Sequence, residues 1–320
     1  MAAELSIAGG GLAGLACGIR LQERGWQVTV HERQHYPLKK VCGEFLSPLG
    51  WRRVVALGAA ALLPQAPALL RRARFYGGPQ QHVDFALEPP AWGLSRSALD
   101  SALAARFRAL GGDLREGSEA AAHSQAGPGW VLATGRPAVQ GPSAWLGWKA
   151  YLTPDQAPPE LAQADLLMLP LAQGYAGLAR IEDGRVSVAL VAKAPARLPE
   201  LLASHPLLAA LAPHLVAHAA VAGFAFSAHV AAGYPRIGDA RRVWPPVVGD
   251  GMSQALLAGE SLAQRLATGR GGGEAGVALR YRLGLGLHHL MLWPSGRRAA
   301  VGLARAWPGL AEMIYRVSRA

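Results

Sequence analysis

The sequence predicts an α/β protein with a second, sheet-based domain inserted into the first and a helical C-terminus. Three observations carry this. The chain opens on an apolar strand that runs through a glycine-rich turn into a helix, Leu5-Ser-Ile-Ala-Gly-Gly-Gly-Leu-Ala-Gly14. Residues 165 to 193 change character and read as strands. From 199 onward, apolar residues return to helical spacing. A strand-helix-strand opening followed by a β-rich stretch and a return to helix is the order an inserted domain produces.

The opening unit is complete. Ala13 to Arg24 carries helical spacing, Gly25 closes it, and Val28-Thr-Val30 forms a second strand ending at Glu32. Gly9, Gly11 and Gly14 spell G-x-G-x-x-G, and Glu32 follows eighteen positions after Gly14. That context makes the motif a dinucleotide-binding fingerprint. Gly9 turns the chain, Gly11 lets backbone N–H groups approach a pyrophosphate, and Gly14 lets helix and strand pack closely. Leu12 and Ala13 open the helix, whose N-terminus favours phosphate. Glu32 can accept hydrogen bonds from a ribose diol and repels a 2′-phosphate; Arg33 follows it.

The remaining elements follow in order. Gln34 to Ser47 reads as a loop containing Lys39-Lys-Val-Cys-Gly-Glu-Phe-Leu-Ser47, and 49 to 63 as a helix. Arg74-Phe-Tyr and Val83-Asp-Phe read as strands separated by Gly77-Gly-Pro79, a breaker. Ser97-Ala-Leu-Asp100 resembles a capping box ahead of a stripe at Leu99, Leu103, Phe107 and Leu110, which Gly111-Gly112 ends. Trp130-Val-Leu132 is a short strand. Tyr175 to Ile181 meets Arg185 to Val191 across Glu182-Asp-Gly184, a hairpin signal. Residues 199 to 217 form one or two helices interrupted by Pro206 and Pro213, and a long helix runs through Leu262 and Leu266.

Composition narrows the class. The apolar fraction of 51% over 320 residues supplies a sizeable core. No uninterrupted apolar run reaches about 18 residues, the length a membrane span requires. The first strand begins within five residues of the N-terminus, too early for a signal peptide. Two cysteines, Cys17 and Cys42, fit a reducing compartment, so a cytoplasmic location is expected. Neither belongs to a C-x-x-C pair, so no metal site is expected. The net charge of +11 is nearly all arginine and scattered, with lysine only at 39, 40, 149 and 193. A nucleic-acid surface concentrates charge and interleaves aromatics; this pattern reads as solvated surface, with a field that suits an anionic ligand.

A second glycine cluster stands far downstream: Ile237-Gly238-Asp239-Ala240, then Pro245-Pro246, then Gly249-Asp-Gly251-Met252 before the long helix. This order resembles the GD motif of FAD-dependent hydroxylases and reductases, in which the Asp binds the ribityl chain. In that superfamily a Pro-rich turn then leads into a helix facing pyrophosphate and flavin. Gly93-Leu-Ser-Arg96-Ser-Ala-Leu-Asp100 resembles the segment whose Arg lies near FAD, and Leu132-Ala-Thr134-Gly135 the A-T-G turn beside the nucleotide. Val41-Cys42-Gly43-Glu44 resembles the C-G-E segment of the geranylgeranyl-reductase-like branch, which lies close to the flavin.

The resemblance implies a glutathione-reductase-type Rossmann FAD-binding domain over 1–73, 94–144 and 226–285. It implies a β-sheet substrate domain over 74–93 and 145–225, and a C-terminal helical segment over 286–320. It implies FAD, with NAD(P)H as a candidate electron donor, and no nucleic-acid partner. The hydroxylase D-G motif is not recognisable after Gly135, where Arg136-Pro-Ala-Val-Gln-Gly-Pro-Ser143 stands instead, which counts against NAD(P)H bound as in those enzymes. The W-x-W-x-I-P motif of tryptophan halogenases is missing too.

The implied activity is that of a monooxygenase hydroxylating an aromatic or polyketide-like molecule through a flavin hydroperoxide. The alternatives are a double-bond reductase and a flavin-binding protein without turnover. Flavin carries the difficult step, which accounts for the lack of a Ser/His/Asp arrangement. Cys42 and Lys149 are the catalytic candidates, with a packing role for Cys42 the competing reading. Glu44 either caps a backbone turn or faces the cavity. Trp145, Trp148, Lys149, Tyr151, Met168 and Tyr175 are candidates to line an apolar pocket, against ordinary strand packing. His288 and His289 are adjacent on a helix, point about 100° apart, and read as packing or surface. The segment from Arg297 to Arg319 mixes apolar residues and arginines. It is expected either to dock on its own protein, interrupted at Pro308, or to touch a membrane peripherally.

Overall fold

In the computed structural model the described residues are 3–119, 129–139, 141, 144–215, 217–226, 234–270, 276–307 and 309–319. Pro308, and Gln140, Pro142 and Ser143 of the segment after Gly135, lie outside them.

The glycine turn sits where β1 (Glu4–Ala8) enters α1 (Leu12–Gln22), and β2 (Gln27–Glu32) returns parallel to β1. Gly14 faces the carbonyl oxygen of Gly9, where an added Cβ would come within 2.0 Å. A short β3 (Phe45–Leu46) leads into α2 (Pro48–Ala56), capped by Ser47. The helix expected over 49–63 stops at Ala56, because Gly58 turns the chain at φ +72°, and only a 3₁₀ turn follows at Ala60–Leu62. The antiparallel pair β4 (Ala68–Tyr76) and β5 (His82–Gly93) comes next.

The following helix, α3 (Arg96–Ala109), corrects the capping expectation. Ser95 rather than Ser97 is its cap, accepting from the Ala98 N–H at 3.1 Å. Two strands, β6 (Asp113–Glu116) and β7 (Trp130–Leu132), complete a four-stranded parallel sheet in the order β6-β2-β1-β7.

The middle of the chain builds the second sheet. It contributes β8 (Trp145–Leu152), β9 (Leu166–Pro170), and the expected hairpin of β10 (Gly174–Arg180) with β11 (Val186–Lys193). Two short proline-started helices, α4 (Leu198–Ala203) and α5 (Pro206–Leu211), lead to β12 (Ala217–Phe224). The eight strands run β12-β8-β11-β10-β9-β4-β5-β3, antiparallel except where β4 lies parallel to β9. Alternation along the strands buries Leu167, Leu169, Leu178, Val186, Val188 and Leu190, several against α4 and α5.

The last four helices are α6 (Gly251–Thr268), α7 (Val277–Leu292), α8 (Pro294–Ala306) and α9 (Leu310–Arg319). Of these, α6 packs directly on α1: a Cβ at Gly259 would meet the Ala13 oxygen at 2.3 Å. That close approach returns the distant second glycine cluster to the first. Cys17 lies in this helix-on-sheet core, where burial pushes its thiol up to about 12.

Candidate active site

One cavity of about 1600 Å³ lies between the two sheets, larger than the 300–1,000 Å³ usual for a small-molecule site. Its two ends differ in chemistry.

The polar end is built on helix N-termini. Gly9, at φ +110°, turns the chain so that Gly11, Leu12 and Ala13 line the cavity, and no side chain caps the start of α1. Bare N–H groups and the positive dipole end therefore face the cavity. Gly14 does not line it and acts through the fit against Gly9. Glu32, at the end of β2, is fixed by two backbone donors: the Gly10 N–H to Oε2 and the Gln34 N–H to Oε1, each at 3.0 Å. Arg33 lines the cavity beside it. Tyr36, which sequence reasoning missed, donates its hydroxyl to the Gly10 oxygen at 2.5 Å and so braces the turn.

Arg96 opens α3 and reaches the same place. Its Nη2 lies 4.0 Å from the position of a Gly11 Cβ, and it forms a bidentate pair with buried Asp100 at 2.8 and 3.0 Å. Thr134 and Gly135 line the cavity after β7, and Gly238 and Asp239 approach on a 3₁₀ turn. Burial pushes the Asp239 carboxyl up, with Arg136 and Arg96 pulling it back; a third of the side chain stays open to the cavity. Gly249, Gly251 and Met252 complete this wall at the start of α6, again a helix N-terminus without a side-chain cap.

Arg136 is a second residue that sequence reasoning missed. Its Nε lies 3.6 Å from Asp239, its Nη2 donates to the Val41 oxygen at 3.0 Å, and its guanidinium stacks 5.0 Å from the Phe224 ring. The available signal was an arginine directly after the A-T-G turn.

The loop carrying Cys42, Gly43 and Glu44 joins the two ends, and all three line the cavity. Glu44 adopts φ 57°, unusual for a residue with a side chain, and its carboxylate is buried. Its Oε1 accepts from the Arg96 N–H at 2.7 Å, the Tyr151 hydroxyl at 2.9 Å and the Lys149 ammonium. Glu44 thus does both things left open by the sequence: it caps the start of α3 and borders the cavity. Cys42 Sγ accepts from the Glu44 N–H at 3.4 Å, a local turn contact.

The pocket-wall expectation needs correcting. Met168 and Tyr175 line the cavity; Trp145, Trp148, Lys149 and Tyr151 do not. Trp148 packs into the core on the far face of its strand, and Trp145 sits in an aromatic cluster with His288 and Phe226. Lys149 is 2% exposed and committed to Glu44, so it holds the loop rather than meeting a ligand. Tyr151 lies between Glu44 and the Arg185 guanidinium.

The apolar end is lined by Phe75, Val83, Phe85, Leu87 and Met168 of the large sheet, with Val301, Leu310 and Tyr315 of α8 and α9 opposite. Arg74 also borders it, but Asp84 binds its guanidinium at 2.6 and 2.7 Å and leaves little free charge there. Behind the wall, the Tyr175 hydroxyl lies 3.0 Å from His288 Nδ1 and accepts from the Val247 N–H at 3.3 Å. Burial pushes His288 down to about 4, and His289 is exposed. Among the described residues no group of three His, Cys, Asp or Glu could hold a metal. No described helix is long and apolar enough to cross a membrane.

No family model matches the sequence, and no curated protein matches it. Solved structures do match the fold. The flavin-dependent brominase Bmp2 superposes with a TM-score of 0.72 at 17% identity, over 99% of this chain and 93% of that one. PqsL of P. aeruginosa, solved with 2-aminobenzoylacetate, gives 0.68 at 16%, over 94% and 99%. A 2-methyl-3-hydroxypyridine-5-carboxylic acid oxygenase gives 0.66 at 21%, over 95% and 93%. The fold is therefore similar to that of these proteins, the flavin-dependent brominase among them: here a parallel βαβ sheet, a large curled second sheet and C-terminal helices.

Proposed function

We propose that the chain is an FAD-dependent monooxygenase acting on an aromatic or other apolar small molecule. The observation that carries this is a single cavity holding both a phosphate-compatible polar end and an apolar chamber. The polar end fits FAD residue by residue. Gly11, Leu12 and Ala13 offer uncapped helix N–H groups to a pyrophosphate, and Glu32 offers its carboxylate to the adenosine ribose. Asp239 offers an open carboxylate to the ribityl hydroxyls. Gly249, Gly251 and Met252 supply a second helix N-terminus, and Cys42, Gly43, Arg96, Thr134 and Gly135 close the wall. When bound, FAD supplies two-electron redox chemistry and, once reduced, reactivity toward oxygen. The chain's own work is to bind, orient and exclude water. Arg136 neutralises charge beside Asp239, Lys149 and Glu44 fix the Cys42 loop, and the Phe75–Met168 wall keeps the substrate end dry.

A neighbouring fold in which PqsL holds 2-aminobenzoylacetate favours an aromatic substrate. The place of Cys42 and Gly43 on the wall favours the second reading, a double-bond reductase of the geranylgeranyl-reductase-like type. The electron donor is not tied to NAD(P)H, since Arg136 stands where the hydroxylase D-G motif is expected.

The test has two stages. An absorbance spectrum of the purified protein, before and after heat release of ligand, should show flavin bands and yield FAD. A colourless protein that also refuses added FAD would end the proposal. Oxygen uptake by the reduced protein that rises with an aromatic substrate supports the monooxygenase. Substrate reduction without oxygen uptake selects the reductase.

A further inference from the structure

Of the ten large apolar side chains that stand exposed among the described residues, eight lie between Leu279 and Val317. They include Trp293, Leu303, Trp307, Met313, Ile314 and Val317, each at least 43% exposed. Water-facing apolar groups scattered singly need no explanation, but a concentration of them marks a contact surface. The charge of the same stretch is one-sided. Residues 277–319 hold seven arginines and one acid, Glu312. That acid is turned inward, accepting from the Ala86 N–H at 3.3 Å, while Arg298, Arg305 and Arg316 are exposed.

The helices are anchored, so this face is presented rather than left over. The Tyr315 hydroxyl donates to the Pro89 oxygen at 3.0 Å, Gln81 donates to the Arg298 oxygen at 3.0 Å, and Arg297 donates to the Gly77 oxygen at 3.1 Å. Leu303 and Ile314 are both exposed and part of the cavity lining. They therefore stand at the mouth of the apolar end.

We propose that α8 and α9 form a docking surface for an anionic lipid bilayer, seated over the mouth of the apolar chamber. Tryptophan and aliphatic side chains enter the headgroup boundary, and arginines meet anionic headgroups while burying their stems. The charge excess selects an anionic surface over a neutral one. An apolar ligand reaches the chamber through Leu303 and Ile314 without crossing water. The inference concerns the surface and the route of entry, and it holds for either reaction considered above.

The experiment is co-sedimentation of the full chain with vesicles of phosphatidylcholine alone and of phosphatidylcholine mixed with phosphatidylglycerol. Binding to the mixed vesicles should be about tenfold tighter or more at low ionic strength and should fall as salt is raised. Two variant sets sharpen it. Trp307→Ser with Met313→Ser and Val317→Ser removes apolar contact at positions outside the cavity lining. Arg298→Glu with Arg305→Glu and Arg316→Glu reverses the charge. Each should abolish sedimentation while circular dichroism stays unchanged. The proposal is overturned if wild type ignores both vesicles, or if the apolar variant binds as wild type does. It is also overturned if analytical ultracentrifugation shows a wild-type dimer that the apolar variant dissolves, which assigns the face to a second copy. Should the apolar variant fail to fold, the salt titration of the unaltered chain still decides the electrostatic half.

Discussion

The two ends of the cavity are made by opposite strategies. At the polar end nearly every group is fixed by another: Glu32 by two amides, Arg96 by Asp100, Arg136 by Val41 and Phe224, and the glycine turn by Tyr36. At the apolar end the lining consists of sheet side chains and two surface helices, and Arg74, the cation that borders it among the described residues, is already neutralised. Fixed donors and acceptors suit a ligand whose chemistry never varies. Shaped apolar surface suits a ligand set by size. The difference teaches that the polar end is preorganised for a ligand with fixed polar groups, while the apolar end can select only by volume and exclusion of water.

The largest expected effect falls where the two ends join. Lys149 and Glu44 form a buried pair, and removing one partner leaves an uncompensated charge that costs about 3–5 kcal/mol. Lys149→Met should therefore destabilise the fold by that order in denaturant unfolding. A loss under about 1 kcal/mol would mean that water reaches Glu44 and the joint is not closed.

His288 comes next, behind the apolar wall. Its folded value of about 4 lies below the ordinary 6.5, so the unfolded chain binds the proton more readily. Stability from this group is complete above pH 6.5 and is lost as pH falls toward 4, by about 2–3 kcal/mol. Because Gln keeps a neutral polar group there, wild type should track His288→Gln at a constant offset above pH 6.5 and lose stability relative to it as pH falls toward 4. Parallel curves would show that His288 is not held neutral.

Asp239→Ala tests the polar end alone. Removing an acceptor for the ribityl hydroxyls should weaken FAD retention by about 1–3 kcal/mol. Equal FAD content after dialysis would overturn the placement of Asp239. Unlike Lys149→Met, this change should leave the unfolding midpoint of the ligand-free protein within about 0.5 kcal/mol of wild type, since the Asp239 carboxylate is held only loosely, by Arg136 at 3.6 Å and by the more distant charge of Arg96.

What was legible in the sequence follows the same division. The glycine turn, Glu32, Arg96, Thr134, Gly135 and the Gly238–Met252 cluster were singled out because backbone approach and charge demand particular residues at particular spacings; the fold brings them to one cavity, and their role there is the one proposed above. The parallel sheet and the 174–193 hairpin could be read from period and turn chemistry. The wall of the apolar chamber could not. Trp145, Trp148 and Tyr151 have the composition of pocket residues, but pleat direction and strand neighbours decided which of their faces opened. Lys149 was misread for a related reason: its partner Glu44 lies over a hundred residues away, and no local pattern couples them. Arg136 and Tyr36 were missed because each acts on backbone oxygens, which leave no trace in sequence.

The smallest effect is expected at the apolar end, and its smallness is what the comparison requires. Phe85 lines the chamber on β5 and is only partly buried, so Phe85→Ala should cost little stability. The ring's contact with an apolar substrate is worth about 1–2 kcal/mol at ordinary burial, read as a rise in KM of roughly five- to thirty-fold with FAD content unchanged. Because volume rather than a fixed donor sets recognition there, bulkier substrates should lose less than small ones, having other walls to lean on. A fall in kcat at unchanged KM would mean that Phe85 orients the reacting atoms. A fall in FAD content would mean that the two ends are not independent, and the division drawn from their geometry would fail.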